Sequence, residues 1–364
     1  MTTRRGRDRT RQRGIALLLV MWIFMVLGVL ALDFARYMRD DGQAAVNFKE
    51  ETVGYYVALA GMNKVMFDAQ SARDQSLSTP ANTDQGLNKK KRMGEDEDDE
   101  NERVPADGQW HDGTFQGHGY SVRLTDEGGR ISLNKADETL LTHVVRGLLT
   151  GFNATTGVDT RGENEIAEVV DSIEDWRDVD NLKRLHGAEN EYYLSLRHPY
   201  RAKNGWFDSP EELLLVKGVT PELFYGHDGL PGLRDIFSVF SKSSSVNVRT
   251  APPAVLQVLL NVDTQTAADL VTQRDAAGEG FLAVVQAQAT AIDPRMSDVL
   301  VDQDPAIVTI DARADTKQDT NQSRVEAVAD LSSEEAEGAK IIRWIDRAPW
   351  EGGLPGADGD KGAS

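Results

Sequence analysis

The chain has 364 residues, and its 40 Lys and Arg against 59 Asp and Glu give a net charge of −19 at neutral pH. It contains no cysteine, which excludes disulfide bonds, thiolate metal sites and cysteine nucleophiles. Residues 1–14 hold six arginines and one acidic residue, so the rest of the chain has 34 basic and 58 acidic residues and a net charge of −24. A body this acidic repels phosphate backbones and anionic lipid surfaces, which disfavours non-specific nucleic-acid binding.

An apolar segment, residues 15–32, follows Gly14 directly and contains no charged residue. As a helix it is roughly 27 Å long, close to the hydrocarbon thickness of a bilayer. No convincing cleavage site follows it, which favours a membrane anchor over a removed secretory signal peptide. The positive-inside rule keeps the arginine-rich N-terminus in the cytoplasm. Residues 33–364 are therefore expected across the membrane, which in a bacterium is the periplasm.

Beyond the membrane, apolar residues at spacings of three and four predict an amphipathic continuation, so that one long helix covers residues 15–68. Its apolar stripe fits either packing on its own domain or a seam between subunits, and the sequence does not separate the two. Residues 71–104 are polar, with the run EDEDDENE at 95–102. Their composition predicts a disordered, charged loop.

The remaining chain reads as strands, helices and strands again, which predicts an α+β fold. Alternating, glycine-punctuated patterns predict an antiparallel sheet formed by residues 110–134 and 300–348. Residues 135–295 are helical in pattern and would form an all-α domain inserted into that sheet. The Gly- and Asp-rich tail, residues 350–364, is predicted to be flexible.

Within the first part of the sheet, residues 120–124 and 130–133 flank Gly128-Gly129 and predict a β-hairpin. In the last third, three strands are predicted at residues 306–314, 324–330 and 340–347. One apolar stripe in the helical region is predicted to face the core; it comprises Ile166, Val169, Val170, Ile173 and Trp176.

Segments of the helical region resemble units of helix-hairpin-helix or SAM-like type. Residues 207–224 read as helix, Gly218 turn, helix, and segments 131–141 and 246–256 form a weak internal repeat. Such units can bind DNA phosphates through backbone amides at a Gly-x-Gly hairpin, which raises the alternative of a membrane-tethered DNA receptor of competence type. Here the hairpins are Gly218-Val219-Thr220 and Asn261-Val262-Asp263, so neither keeps both glycines and one carries an aspartate. Binding to nucleic acid is therefore disfavoured.

Motifs of enzymes are missing from the sequence: it has no Gly-x-Ser-x-Gly, no P-loop and no His-Glu-x-x-His. Its six histidines have no metal-ligand spacing. The sequence predicts a protein that is not an enzyme.

An oxygen-rich segment, residues 171–193, is the candidate metal site. Clustered carboxylates repel one another unless a cation or basic side chains offset them. A structural Ca²⁺ site and an ion-paired cluster are both open readings of this segment. The candidate ligands are Asp171, Asp175, Asp178, Asp180 and Glu189, and the competing basic partners are Arg177, Lys183 and Arg184.

The short arginine-rich leader, the apolar helix and its amphipathic continuation together resemble a type IV pilin-like subunit. The resemblance implies that prepilin peptidase cuts after Gly14 and leaves Ile15 as the mature, N-methylated terminus. Most such subunits carry Glu at mature position five, where this chain has Leu19. A membrane-embedded Glu is expected to pair with the terminal amine of a neighbouring subunit. A subunit without it is best placed at the filament tip, where nothing sits above it.

A closer resemblance is to the K-class minor pseudopilin family of type II secretion, general secretion pathway protein K. It implies an α-helical domain inserted into a pilin-like fold, a place at the tip of the periplasmic pseudopilus, and assembly with I- and J-class minor pseudopilins on the inner-membrane secretion platform. It also implies calcium, either at the 171–189 carboxylates or at carboxylates of the C-terminal strands. The segments that carry it are GGRISLN, DSIEDWRD, GAENEYY, PYRAKNGWFDSPEELLLVKGVT and VNVRTAPPAVL.

Overall fold

The computed structural model describes residues 11–78, 104–151, 160–227, 229–277, 280–314, 323–332 and 339–346. A long N-terminal helix packs on a five-stranded antiparallel sheet, and a helical domain is inserted between two of the strands. The helices are α1 (Arg11–Ser78), α2 (Glu138–Thr150), α3 (Thr160–Arg177), α4 (Asn190–Ser195), α5 (Pro221–Tyr225), α6 (Leu233–Ile236), α7 (Pro253–Leu259), α8 (Thr264–Ala277), α9 (Phe281–Ile292) and α10 (Pro294–Asp298), with 3-10 helices at Glu127–Gly129 and Pro210–Leu215. The strands are β1 (Asp107–Phe115), β2 (His118–Asp126), β3 (Ile131–Ser132), β4 (Phe237–Ser238), β5 (Val246–Asn247), β6 (Leu300–Val301), β7 (Ile307–Ala314), β8 (Arg324–Asp330) and β9 (Lys340–Asp346).

Helix α1 is longer than the predicted 15–68. It runs to Ser78, so residues 71–78 of the predicted loop are helical, and the rest of that loop up to residue 103 lies outside the described residues. No Gly or Pro interrupts the chain between Asp68 and Ser78, and Pro80 then disfavours continuation. Within the described chain, α1 is the one helix long and apolar enough to span a membrane, with a mean hydropathy of 2.6 over its apolar stretch and none of that stretch buried.

The five-stranded sheet has the order β1-β2-β7-β8-β9 with antiparallel neighbours throughout. Its first hairpin joins β1 to β2 through Gln116 and Gly117, which both have positive φ angles of 50° and 79°. Two consecutive left-handed residues suit the two-residue turns whose twist matches paired strands. The predicted hairpin about Gly128-Gly129 is therefore wrong, because residues 120–124 pair with β1 and β7 instead.

Gly128 and Gly129 have a different role from a turn. Neither has a positive φ angle. A Cβ on Gly129 would lie 2.8 Å from the carbonyl carbon of Thr250, so glycine allows two backbone segments to touch. The chain then enters β3, which pairs in parallel with β4 of the helical domain. The predicted sheet segment 110–134 consequently ends at Asp126.

Two separate hydrophobic cores form. One lies between α1 and the sheet, where Val57, Ala58, Met62 and Val65 of α1 are buried against apolar side chains of β2, β7 and β8. The same helix leaves Phe48, Tyr56 and Phe67 between 62% and 70% exposed. The stripe on α1 thus packs on its own domain and also leaves large apolar side chains on the surface.

The second core fills the helical domain. The predicted stripe on α3, from Ile166 to Trp176, is buried there. Leu300 belongs to this core as well, since β6 pairs with β5, so the predicted sheet segment beginning at residue 300 starts in fact at Ile307. The three predicted C-terminal strands are confirmed as β7, β8 and β9. Because β2 and β7 are neighbours, the inserted domain leaves and re-enters the sheet at adjacent strands.

Two buried carboxylates join the domains at the end of β2. Asp126 is 2% exposed and accepts hydrogen bonds from Asn247 Nδ2 at 2.8 Å, Thr250 Oγ1 at 2.7 Å and Gly128 N at 2.8 Å. Glu127 accepts from Ser238 Oγ and Thr309 Oγ1, both at 2.5 Å. Every partner except Thr309 lies in or at the edge of the helical domain. These bonds fix the position of that domain on the sheet.

The pKa of Asp126 gives a pH prediction. Burial raises it, and the hydrogen bonds from Thr250 and Asn247 oppose that rise. The folded-state pKa thus lies above the unfolded value of about 3.9, so the folded state takes up this proton first as the pH falls. We expect the stability advantage of the wild type over Asp126→Asn to grow between pH 7 and pH 4 in urea unfolding. If the stability difference between the wild type and Asp126→Asn shrinks as the pH falls, the pKa of Asp126 is not raised in the folded state.

Candidate functional site

The acidic loop between α3 and α4 brings three of the predicted ligands together. Carboxylate oxygens of Asp178, Asp180 and Glu189 all lie within 4.8 Å of one another. Calcium binds oxygen ligands at about 2.3–2.6 Å, so two ligands of one ion lie at most about 5 Å apart. The spacing of these three carboxylates fits a single calcium ion.

Unpaired buried oxygens mark the same place. Both carboxylate oxygens of Glu189, which is 4% exposed, and Oδ1 of Asp178 are buried without a hydrogen-bond donor. Burial raises the pKa of Glu189, and the charge of Asp175 raises it further. Unsatisfied buried carboxylates are costly for a fold. A bound cation would compensate the charge of these carboxylates and so remove the cost of burying them. Because all the available ligand atoms are oxygens, they suit calcium.

Asn204 contacts the same loop, and the sequence does not single it out. Its Oδ1 is buried without a donor, while its Nδ2 donates to the backbone oxygen of Asp180. Its φ angle is +48°, a left-handed conformation that asparagine tolerates better than most residues. The Asn204-Gly205 pair in the sequence is a turn signal, and it could have indicated a side chain turned back toward the loop.

Asp175 lies beside the cluster but is engaged by the protein itself. It is fully buried at the side chain and accepts from Arg184 Nη1 at 3.1 Å and from Arg184 N. Arg184 Nη1 also donates to Asp178 Oδ2 at 2.8 Å. Gly187 allows this packing, because a Cβ there would lie 2.1 Å from Asp175 Oδ2. Ion pairing with Arg184 therefore accounts for Asp175 and for one oxygen of Asp178. It leaves the buried charge of Glu189 without a basic partner.

The other predicted groups are placed apart from the three-carboxylate cluster. Asp171 accepts from His186 N at 2.9 Å. Arg177 pairs with Glu174 at 2.6 Å and donates to Leu133 O at 2.7 Å, so it ties α3 to the start of the helical domain. Neither Asp171 nor Arg177 is brought to the cluster.

Carboxylates of the C-terminal strands, the alternative calcium site, have protein partners. Asp311 accepts from Arg123 Nη2 at 2.6 Å and from Arg324 Nη2 at 2.7 Å. Asp330 pairs with Lys242. These groups are already offset by basic side chains, whereas Asp178 and Glu189 keep buried oxygens without a donor.

Helix N-terminal amides beside the two hairpins already have side-chain acceptors. Thr220 Oγ1 caps α5 by accepting from Leu223 N at 3.2 Å. Asp263 accepts from Thr266 N at 2.8 Å at the start of α8. A phosphate oxygen that approached these amides would compete with a side-chain oxygen, and the carboxylate of Asp263 would repel it. This arrangement does not favour the DNA-receptor alternative.

The predicted processing residues lie in the first turns of α1. Gly14 and Ile15 belong to the helix, and Leu19 follows in the apolar stretch, 55% exposed. Among the described residues, the exposed large apolar side chains between Leu17 and Phe48 do not belong to the core between α1 and the sheet. This half of α1 is free to pack in a bilayer or against other helices.

The free N-terminal half of α1 has the length and hydropathy of a membrane anchor, and the second half of the helix packs on an antiparallel sheet. Residues 131–225 match the family model of type II secretion system protein K. The chain is similar to the type II secretion system protein K of Aeromonas hydrophila, with 41% identity over 61 residues, 16% of this chain and 18% of that protein. It is also similar to that of Pectobacterium carotovorum, with 25% identity over 289 residues, 76% of this chain and 80% of that protein.

A solved structure shares the fold. The GspK–GspI–GspJ complex of the type 2 secretion system from enterotoxigenic Escherichia coli matches with a TM-score of 0.53 and 16% identity, covering 80% of this chain and 96% of that one. The predicted α+β fold, a long apolar helix with an antiparallel sheet and inserted helices, is confirmed. The family model covers the first part of the helical domain, and the relatives extend the similarity to type II secretion system protein K over about three quarters of the chain.

Proposed function

We propose that this chain is a minor pseudopilin that assembles with other minor pseudopilins and initiates and caps the type II secretion pseudopilus, a non-enzymatic role. The observation that carries the proposal is the division of α1 into a free apolar half and a half packed on the sheet. The first half would hold the subunit in the inner membrane and later in the filament. The globular part would lie in the periplasm.

A tip position follows from two features of the chain. Leu19 stands where pilin-like subunits usually carry a membrane-embedded Glu, so this subunit has no carboxylate to pair with the terminal amine of a neighbour. The helical domain inserted between β2 and β7 adds bulk to the pilin-like part. A wide head would obstruct a subunit added above it.

The partners proposed for this chain are minor pseudopilins of the I and J classes, which the related complex contains by its description. The exposed aromatic side chains of α1 supply a surface for their helices, since large exposed apolar groups mark interaction sites. We expect the full-length chain in detergent to co-purify with I and J as one complex. Phe48→Arg should lower recovery of the complex, while Arg197→Ser, on the helical domain, should not. Separate elution of all three wild-type proteins would contradict the proposal.

Processing gives a prediction of its own. We propose that prepilin peptidase cuts after Gly14 and that the new terminus, Ile15, is N-methylated, before the secretion platform takes up the subunit. A Cβ at Gly14 would obstruct a protease subsite shaped for glycine. We expect Gly14→Ala to accumulate as the uncut precursor in an immunoblot of membranes, and Gly28→Ala, in the same helix, to be cut normally. Mature Gly14→Ala protein would contradict the leader assignment.

We further propose that the 178–189 loop holds a structural calcium ion. Asp178, Asp180 and Glu189 would supply carboxylate oxygens, and Asn204 Oδ1 an amide oxygen. The ion would offset the buried charge of Glu189 and hold the loop against α3 and α4. Folding of the helical domain in the periplasm would then depend on calcium.

A further inference from the structure

The Asn204-Gly205 pair beside the acidic loop has a chemistry that assembly and processing do not use. It is the one Asn-Gly pair in the sequence. An asparagine side chain loses its amide when the backbone nitrogen of the next residue attacks its Cγ. Glycine in that next position favours the attack, because it has no Cβ to shield the nitrogen. The reaction needs water but no enzyme and no cofactor.

In the folded protein, the groups that would react are engaged with other partners. Gly205 N donates a hydrogen bond to Trp176 O at 3.3 Å. Asn204 Nδ2 donates to the backbone oxygen of Asp180 and, at 3.4 Å, to Asn181 Oδ1. These contacts must break before Gly205 N is free to attack Cγ of Asn204. Deamidation of this pair therefore requires local opening of the chain around it.

The stability of the 178–189 loop sets how often that opening occurs. Asp180 belongs to the loop, and Trp176 lies at the end of α3 just before it. Both carboxylate oxygens of Glu189 are buried without a donor, which weakens the closed loop when no ion is bound. An ion that binds only the closed loop, present at one hundred times its Kd, lowers the open fraction about a hundredfold.

We propose that Asn204 is a site of spontaneous deamidation, that opening of the 178–189 loop controls its rate, and that bound calcium protects it. The protection rests on the proposed calcium site. In the reaction, Gly205 N bonds to Asn204 Cγ, the bond from Cγ to Nδ2 breaks, and the proton lost by Gly205 N leaves with the nitrogen as ammonia. Water then opens the cyclic imide at either carbonyl, which gives aspartate or isoaspartate.

The aspartate product makes the loop more dependent on calcium. It adds a negative charge beside a loop that already holds Asp178, Asp180 and Glu189 close together. Without an ion, the added carboxylate repels the others and favours the open loop. With an ion, it supplies a charged ligand, and calcium sites bind more tightly as the number of charged ligands rises. The modification is irreversible, so it records the time that the subunit has spent without calcium.

The test incubates the full-length protein in detergent at mildly alkaline pH, with calcium or with chelator. Pepsin then digests it in acid, where deamidation is slow, and mass spectrometry measures the fraction of Asn204 converted to the acid. Labelling by protein-isoaspartate methyltransferase detects the isoaspartate product. We expect conversion at Asn204 in chelator, and a rate at least about tenfold lower in saturating calcium.

Two controls separate this site from general ageing of the protein. Asn261 is also half-buried, with a φ angle of +46°, but branched Val262 follows it, so it should keep its amide. Gly205→Ala should fold as the wild type, because the φ angle of Gly205 is not positive and an added Cβ would meet only Lys203 O, at 3.8 Å. This variant should deamidate several-fold more slowly than the wild type in chelator.

An intact Asn204 in chelator, or equal conversion in the wild type and Gly205→Ala, would overturn the deamidation site. Isothermal titration with calcium separates this failure from a failure of the calcium site. If the wild type binds calcium but converts equally fast with and without it, the loop does not control the reaction. If the wild type binds no calcium, the protection is excluded, whereas conversion at Asn204 and not at Asn261 would still support the modification. Asn204→Asp should widen the difference in melting temperature between calcium and chelator, and an unchanged difference would overturn the effect on the loop.

Discussion

Removal of calcium should lower the melting temperature of this protein by several degrees. An ion bound only to the folded state at one hundred times its Kd adds about 2.7 kcal/mol of stability. For a domain of this size, each kcal/mol corresponds to roughly 2–4 °C. The loop has the unpaired oxygens of Glu189, Asp178 and Asn204 to supply to that ion. Calorimetry of the full-length protein in detergent, with calcium and with chelator, measures the shift.

Glu189→Gln makes this prediction sharper, because its effect should change sign with calcium. Without the ion, the variant removes a buried, unpaired charge and should melt at or above the wild type. With the ion, it lacks a ligand and should melt below the wild type. Glu191→Gln, an exposed carboxylate two residues away on α4, should behave as the wild type in both conditions. An unchanged wild-type melting temperature on chelation would exclude a calcium site that stabilises the fold.

Gly61→Ala should destabilise the protein although alanine is the better helix former. A Cβ at Gly61 of α1 would lie 2.6 Å from the ring of Tyr120, and one at Gly113 of β1 would lie 2.5 Å from the same ring. Tyr120 is 7% exposed and held between the two glycines, so it cannot move aside. Overpacking of this kind costs about 1–3 kcal/mol. Urea unfolding in detergent measures the loss.

A matched control lies on the same helix. Gly42 has no atom within 4 Å of an added Cβ, so Gly42→Ala should stabilise α1 by up to about 1 kcal/mol through helix propensity alone. The same Gly→Ala substitution would then lower the free energy of unfolding at residue 61 and raise it at residue 42. In a Tyr120→Ala background, Gly61→Ala should lose its cost, as a double-mutant cycle would show. A stabilising effect of Gly61→Ala in the wild type would mean that the ring does not fix α1 on the sheet.

Several elements could be predicted because their signals are local. The charge-free stretch 15–32 specifies a spanning helix by its composition, and the stripe from Ile166 to Trp176 specifies a buried helix face by its period. The C-terminal strands alternate with turns and were predicted to within one residue. Each of these patterns reports on a segment's own environment and needs no knowledge of its neighbours.

The position of the hairpin was predicted wrongly because a glycine can be required for two different structural reasons: a positive φ angle in a turn, or close contact with another backbone segment. Gln116-Gly117 is the turn that needs positive φ angles, whereas Gly129 is glycine because Thr250 approaches it from a segment more than a hundred residues away. Both sites look alike in the sequence. Only the contact distinguishes them.

For the acidic segment, residues 171–193, too, the sequence leaves alternatives that only contacts between distant residues resolve. Its composition alone leaves a calcium site and an ion-paired cluster as alternatives. The fold gives each of these groups a different partner from elsewhere in the chain. Arg184 donates to Asp175, and His186 N donates to Asp171. Asn204 Nδ2 donates to the backbone of the loop.

By itself, the sequence determined the long apolar helix, the α+β order of elements and the absence of cysteine chemistry, because length, hydropathy and composition are properties of single segments. Only the tertiary structure decided which carboxylates remain without partners. Whether a buried charge is paired depends on groups that the chain brings together from distant positions, and it is this pairing that separates a structural ion pair from a place where a ligand can bind.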